Sequence, residues 1–298
     1  MRQRLRQGKT LPVLVVVAAI VALWYGFTVY LNAPWQLDRY AKAEKDWTVS
    51  DLIADTMAQE RPVLPAMHQV AVEIWNTTVN KKITSKRSLI YHAGITLSAT
   101  LLGFLFGAVL GIVLAVLIVH NRALDKSLMP WIITSQTIPI LAIAPMVIVV
   151  LNAVGISGLL PKALISTYLS FFPVAVGMVK GLRSPNAQEL DLMRTYNASK
   201  VQTFWKLRWP SSVPYLFTSL KIAVAISLVG AIVGELPTGA VAGLGARLLA
   251  GSYYGQTVQI WSALLVAAAL AALLVMLVGV VHSLVMRRMG LNPKDAAG

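Results

Sequence analysis

Six apolar runs, each long enough to cross a lipid bilayer, constrain this chain more than any other feature. They fall near residues 11–31, 93–119, 128–151, 157–179, 213–235 and 258–286. A crossing helix needs about 20 mostly apolar residues. Lipid offers no partner to an unpaired backbone amide, so runs of this length fold as helices. The expectation is an all-α polytopic membrane protein with about six transmembrane helices. Charged residues make up 13% of the chain, against about 25% in soluble domains. An excess of 26 Lys and Arg over 12 Asp and Glu would suit nucleic acid, but its distribution points to topology instead. The chain has no cysteine, which excludes disulfides and thiolate metal sites.

Basic residues in the short loops set orientation. With the N-terminus in the cytoplasm, the inner side receives Arg2, Arg4, Arg6 and Lys9, then Arg122 and Lys126, then the cations of 180–208. The long 32–92 loop carries cations too, but acids offset them, and long loops count little in this rule. Four segments result. Residues 1–31 are a cytoplasmic start and a first span, read as a retained anchor because a cleaved signal has a shorter apolar core. Residues 32–92 are a loop on the outer side, which the resemblance described below makes periplasmic. Residues 93–286 are a five-helix core with a polar loop at 181–212, and 287–298 are a cytoplasmic tail. Within 32–92, Leu64, Met67, Ala71, Ile74, Trp75 and Thr78 fall at helical spacing, predicting an amphipathic helix over 64–79.

The polar island from Gly181 to Pro214 is too charged to enter lipid and too patterned for a slack linker. Ser184-Pro185 predicts one helix start. Ser199-x-x-Gln202 reads as a capping box opening a second helix. Trp209-Pro210 is expected to end it, because a residue before proline is pushed out of helical geometry. Two short helices bent at Asn197-Ala198 would form a rigid knob facing a soluble partner.

Inside the spans, Gly103, Gly107 and Gly111 make two G-x-x-x-G steps. These suit close helix packing, within one subunit or between subunits. Pro139 and Pro145 interrupt the third span and Pro173 the fourth. Ser135, Gln136 and Thr137 precede the first break. They are candidates either for lining a solute path or for local hydroxyl bonds at a packing kink. His92, Lys221, Glu235 and His282 are placed near helix ends, and Glu235 reads as a gate residue or as a solvated helix-end carboxylate. Scarcity of buried ionisable groups weighs against the rival reading, an ion-coupled secondary carrier. No phosphate-binding loop, H-E-x-x-H motif or nucleophile elbow occurs, and the histidines lack metal-ligand spacing. Neither an enzyme nor a metal site is expected.

The island resembles the cytoplasmic loop of bacterial ABC-importer permeases, whose pattern is E-A-A, three residues, G, nine residues, I-x-L-P. Asp191-Leu192-Met193 stands at E-A-A, Asn197 at the glycine and Leu207-Arg208-Trp209-Pro210 at I-x-L-P, without a gap. Asp191 keeps the carboxylate, and Asn197 can adopt the left-handed bend that glycine serves. Leu64-Pro65 with Val70, TLSATLLGFLFGAVLG, TIPILAIAP, Phe171-Phe172-Pro173 and Gly243-Leu244-Gly245 are similar to the nitrate/sulfonate/taurine-type group of permeases. The resemblance covers residues 60–286. The loop at 32–60 is an addition, and an arginine expected near Ala99 is absent.

The resemblance implies a type I ABC-importer permease-like fold in the bacterial inner membrane. It implies two permease copies or paralogues, each docked on a cytoplasmic ATPase subunit that carries the ATP and Mg, with a periplasmic solute-binding protein. This chain itself would bind no cofactor. Glu189, Asp191, Leu192, Met193, Arg194, Tyr196, Asn197, Ser199, Phe204, Leu207, Trp209 and Pro210 would form the coupling loop. The solute class implied spans sulfonates, nitrate, taurine, pyrimidines and flavin-like compounds. The neutral spans lean toward a neutral heterocycle.

Overall fold

The computed structural model describes residues 10–237 and 242–290. The expected basic start at residues 2–9 and most of the expected tail lie outside them. The described residues fold as helices. Five are long and apolar enough to cross a membrane, and a bent pair makes a sixth candidate span. The chain divides into two compact units, one running to Tyr91 with Arg247–Val266, the other comprising His92–Ala246 and the residues from Ala267 on.

In the first unit, α1 (Thr10–Lys42) carries on past residue 31, through Pro34. The expected loop therefore begins as helix. Helix α2 (Val49–Met57) starts at Thr48, whose hydroxyl and backbone exchange bonds with Asp51 in a capping box. Helix α3 (Met67–Thr78) is the expected amphipathic helix, but its buried residues are Val70 and Thr77, while Trp75 is 62% exposed. A polar seam on α1 organises this unit. Asn32 is fully buried. Its side chain donates to the Leu64 carbonyl at 2.9 Å and accepts from the Val63 amide at 2.8 Å. Trp24 donates to the Pro65 carbonyl at 2.9 Å and meets Trp261 edge to face at 4.5 Å.

The second unit is built on helices α4 (Leu89–His120), α7 (Leu159–Leu182) and α10 (Trp209–Glu235). Helix α4 belongs here from His92 on. Glycines let α4 lie against α7. A methyl on Gly103 would come within 2.3 Å of Ser166 Cβ, and one on Gly107 within 2.0 Å of Ser170 Oγ. The G-x-x-x-G steps thus serve packing within one subunit. Helix α10 runs antiparallel to α7: Gly230 faces Ser166, while Gly177 faces Ser219. Ser166 donates to the Ser227 carbonyl, and Ser227 Oγ donates to the Thr100 carbonyl at 2.8 Å, stitching three helices. Such bonds between spanning helices contribute about 0.6 kcal/mol each.

The third expected span is not one helix. Helices α5 (Arg122–Ser135) and α6 (Ile140–Ala153) meet at 98°. Only Pro139 coincides with a break; α6 runs through Pro145 and α7 through Pro173. Proline is tolerated inside a spanning helix where neighbouring helices and local adjustments take up the freed carbonyl. The short helix α11 (Leu244–Tyr253) and the long helix α12 (Thr257–Arg288) follow; both divide between the units.

Candidate functional site

The segment between α7 and α10 is built from local signals. Helix α8 (Ala187–Thr195) is opened by Asn186, not by Ser184-Pro185. Asn186 Oδ1 accepts from the Glu189 amide at 2.8 Å, while Glu189 accepts from the Asn186 amide at 3.0 Å. That reciprocal pair satisfies two orphan donors, which a proline start cannot do. Asn197 closes α8 with φ +49°. The Ala198 amide bonds the Met193 carbonyl at 2.9 Å and the Asn197 amide bonds that of Arg194 at 2.8 Å. This is a Schellman cap, the geometry that a left-handed residue makes possible.

Ser199 then opens α9 (Lys200–Thr203) with the expected capping box to Gln202. Trp209-Pro210 does not end this helix. A π-helical turn, Phe204–Arg208, links α9 to α10, and the Trp209 amide reaches back to the Phe204 carbonyl. The wider turn relieves the clash between a proline ring and the preceding turn. Lys200–Glu235 is therefore one continuous helical rod.

The base of the segment is anchored and its outer surface is bare. Arg183 pairs with Asp125 at 2.8 Å, and Arg208 donates to the Leu182 carbonyl at 2.8 Å. The Phe204 ring lies 5.2 Å from His120 and 6.0 Å from Trp209. Met193, Phe204, Leu207, Trp209 and Pro210 are partly buried. Leu192 and Tyr196 are exposed, as are Val201 and Trp205. Sequence reasoning missed the last pair, although Val201, Trp205 and Tyr196 flank the bend. Asp191 holds Arg194 at 2.9 Å on the same surface.

At the helix break, Ser135 and Gln136 are partly buried, while Thr137, Pro139 and Pro145 are exposed. Ser135 Oγ donates to the Ile132 carbonyl at 2.7 Å and Thr137 Oγ1 to that of Thr134 at 2.8 Å. The Tyr168 hydroxyl donates to the Ser135 carbonyl, so a residue of α7 satisfies a group that the break sets free. No local sequence signal ties residue 168 to residue 135.

Glu235 is not a solvated carboxylate: it is fully buried. Thr96 Oγ1 donates to it at 2.9 Å and the Gly245 amide at 2.9 Å, with Lys162 Nζ at 3.7 Å. Around it, the Leu244 amide donates to Thr96 Oγ1 at 2.9 Å and the Gly243 amide to His92 Nδ1 at 3.0 Å. One carboxylate thus ties the Gly243-Leu244-Gly245 turn to α4 and α7. Lys221, expected near a helix end, sits in the interior of α10, 3.3 Å from His282 Nδ1.

An all-helical multi-pass membrane protein with an exposed, doubly capped helical bend between two spans defines a class. A model of the binding-protein-dependent transport system inner membrane component matches residues 107–291, and the chain belongs to that family. It is 37% identical over 168 residues to a formylaminopyrimidine transport permease protein of Halalkalibacterium halodurans, covering 56% of this chain and 65% of that one. Thus the chain spans under two thirds of that relative. It is 30% identical to a riboflavin transport system permease protein of Chloroflexus aurantiacus, over 76% of this chain and 80% of that one. A nitrate import permease protein of Leptolyngbya laminosa is 25% identical, over 72% and 76% respectively.

Proposed function

We propose that this chain is the membrane-spanning permease subunit of an ATP-driven, binding-protein-dependent importer, and that a separate cytoplasmic ATPase grips residues 186–210. A second permease copy or paralogue completes the path, and a periplasmic binding protein delivers the solute. ATP and Mg sit on the ATPase, and the N-terminus and coupling bend lie in the cytoplasm. The observation that carries this reading is the bend itself: Leu192, Tyr196, Val201 and Trp205 stand exposed on a backbone capped at both starts and anchored at its base. A surface of bare aromatics is what a partner groove takes up. Charges at Asp191, Arg194, Lys200 and Lys206 then select the partner.

Asp191→Lys reverses one of those charges and breaks the pair to Arg194. The variant should reach the membrane at wild-type level yet lose its partner ATPase during affinity purification. Undiminished co-purification sinks the docking site.

For the solute, we infer a neutral nitrogen heterocycle. The relatives at 37% and 30% identity are named for formylaminopyrimidine and riboflavin, that at 25% for nitrate. Competition of unlabelled pyrimidines and nitrate against solute binding to the partner binding protein distinguishes the two. The ion-coupled carrier finds no counterpart among these relatives.

A further inference from the structure

A polar cavity of about 610 Å³ lies in the first unit, lined among others by Trp35, Arg39, Tyr40, Asp55, Glu60 and Arg61. All of it falls before residue 107, where the family match begins. Its floor is built. Gln36 and Tyr40 are buried to 3% exposure and Gln59 to 7%. Tyr40 donates to Asp55 at 2.5 Å and Gln36 at 3.4 Å, and Gln59 bonds Gln36 at 3.2 Å. Lys45 stands 3.8 Å from the same carboxylate. The charge of Asp55 is therefore already met.

The walls are different. Arg39 lies over the Trp35 ring at 5.6 Å. Among the described residues, neither Arg39 nor Arg61 forms an ion pair, and neither does Glu60. Two unmatched guanidiniums in one cavity select a planar or tetrahedral oxyanion, which each can meet with paired N–H groups.

The level in the membrane narrows the choice. The uncharged stretch of α1 ends near residue 37, and Tyr30 and Trp35 are exposed, as aromatics at a headgroup boundary are. At about 1.5 Å per residue, the part of α1 beyond residue 37 rises about 8 Å from the apolar layer, which is headgroup depth. The geometry points to a site for a phosphate ester at the bilayer surface, namely a phospholipid headgroup. Arg39 and Arg61 take the phosphate, and Glu60 stands in the same lining for the ammonium of an ethanolamine headgroup.

The test uses the full chain in detergent, followed by native mass spectrometry. The probes are palmitoyl-oleoyl phosphatidylethanolamine, the diacylglycerol with the same chains, and inorganic phosphate. Wild type should retain the phospholipid at least about tenfold better than the Arg39→Ala/Arg61→Ala double variant, given the strength of hydrogen bonds to charged groups. The Lys pair, Arg39→Lys/Arg61→Lys, should fall between, since it keeps charge and loses the fork. Equal retention by wild type and the double variant, or equal binding of diacylglycerol, overturns the site. So does an equal loss on replacing the exposed Lys81 and Lys82 with Ala. Arginine-dependent binding of inorganic phosphate without lipid keeps the oxyanion site and overturns its lipid source. None of these outcomes involves the ATPase, so the site stands or falls apart from the importer reading.

Discussion

Gly243 carries the chain across the Glu235 carboxylate at φ +130°, and a methyl placed there would lie 2.1 Å from Glu235 Cδ. Two costs coincide, a backbone conformation that side chains avoid and a collision with a buried group. Gly243→Ala should lose about 2–4 kcal/mol of stability by thermal unfolding in detergent. Gly155→Ala, at φ +83° with open space around it, should lose only about 1 kcal/mol. Equal losses would show that the turn, not the contact, sets the cost. Glu73 gives a second residue-scale test. Burial pushes its carboxyl above the ordinary value, with Arg247 and Lys81 pulling it back. The folded state therefore holds that proton more tightly, and this contribution to stability grows as pH falls from neutrality into the carboxylate range. Glu73→Gln should flatten that slope and raise the melting temperature at pH 7; an unchanged profile would place the slope elsewhere. Neither environment was legible in the sequence. The partners of Glu235 are Thr96, Lys162 and Gly245, and only the last is near in the chain, so a carboxylate at a helix end read as either a gate or a solvated charge.

At the scale of elements, local chemistry was legible and its continuation was not. The Ser199 box follows from side chains that bond nearby backbone, and the bend at residue 197 from the tolerance of asparagine for the left-handed region. Asn197→Val should cost about 1–2 kcal/mol, because a β-branched residue resists the left-handed region, while Asn197→Gly should melt at or above wild type. If both variants match wild type, the bend does not depend on its cap. The helix start at Asn186 was obscured by Ser184-Pro185, an equally good signal two residues earlier. The expected end at Trp209-Pro210 failed because a π-helical turn makes room for the proline, and no spacing rule announces such a turn. Between helices, Gly107→Ala should separate α4 from α7 and cost about 1–3 kcal/mol, an overpacking effect, read as a lowered melting temperature.

For the whole molecule, the helical kind of the spans and five of the six could be read from apolar runs alone, because a long uninterrupted apolar run satisfies its backbone in lipid as a helix. The break in the third run could be placed at Pro139, but not its 98° turn or the Tyr168 hydroxyl that donates to the Ser135 carbonyl freed there. The cysteine-free chain makes orientation directly testable. Single cysteines at Tyr196 and at Glu60 should react with a membrane-impermeant maleimide oppositely: Glu60 in intact spheroplasts, Tyr196 only after permeabilisation. The reverse pattern would invert the proposed topology.

The π-helical turn at Phe204–Arg208 has a mechanical corollary. Because it keeps Lys200–Glu235 helical throughout, no flexible joint separates the exposed bend from the far end of that span. A rod of this length measures about 54 Å, so a tilt of about 5° applied at one end sweeps the other through about 5 Å. Its distal tip is Glu235, bolted to two neighbouring helices. A displacement of the start of this rod would therefore reach that carboxylate, about 54 Å away, with no break in the helix between them.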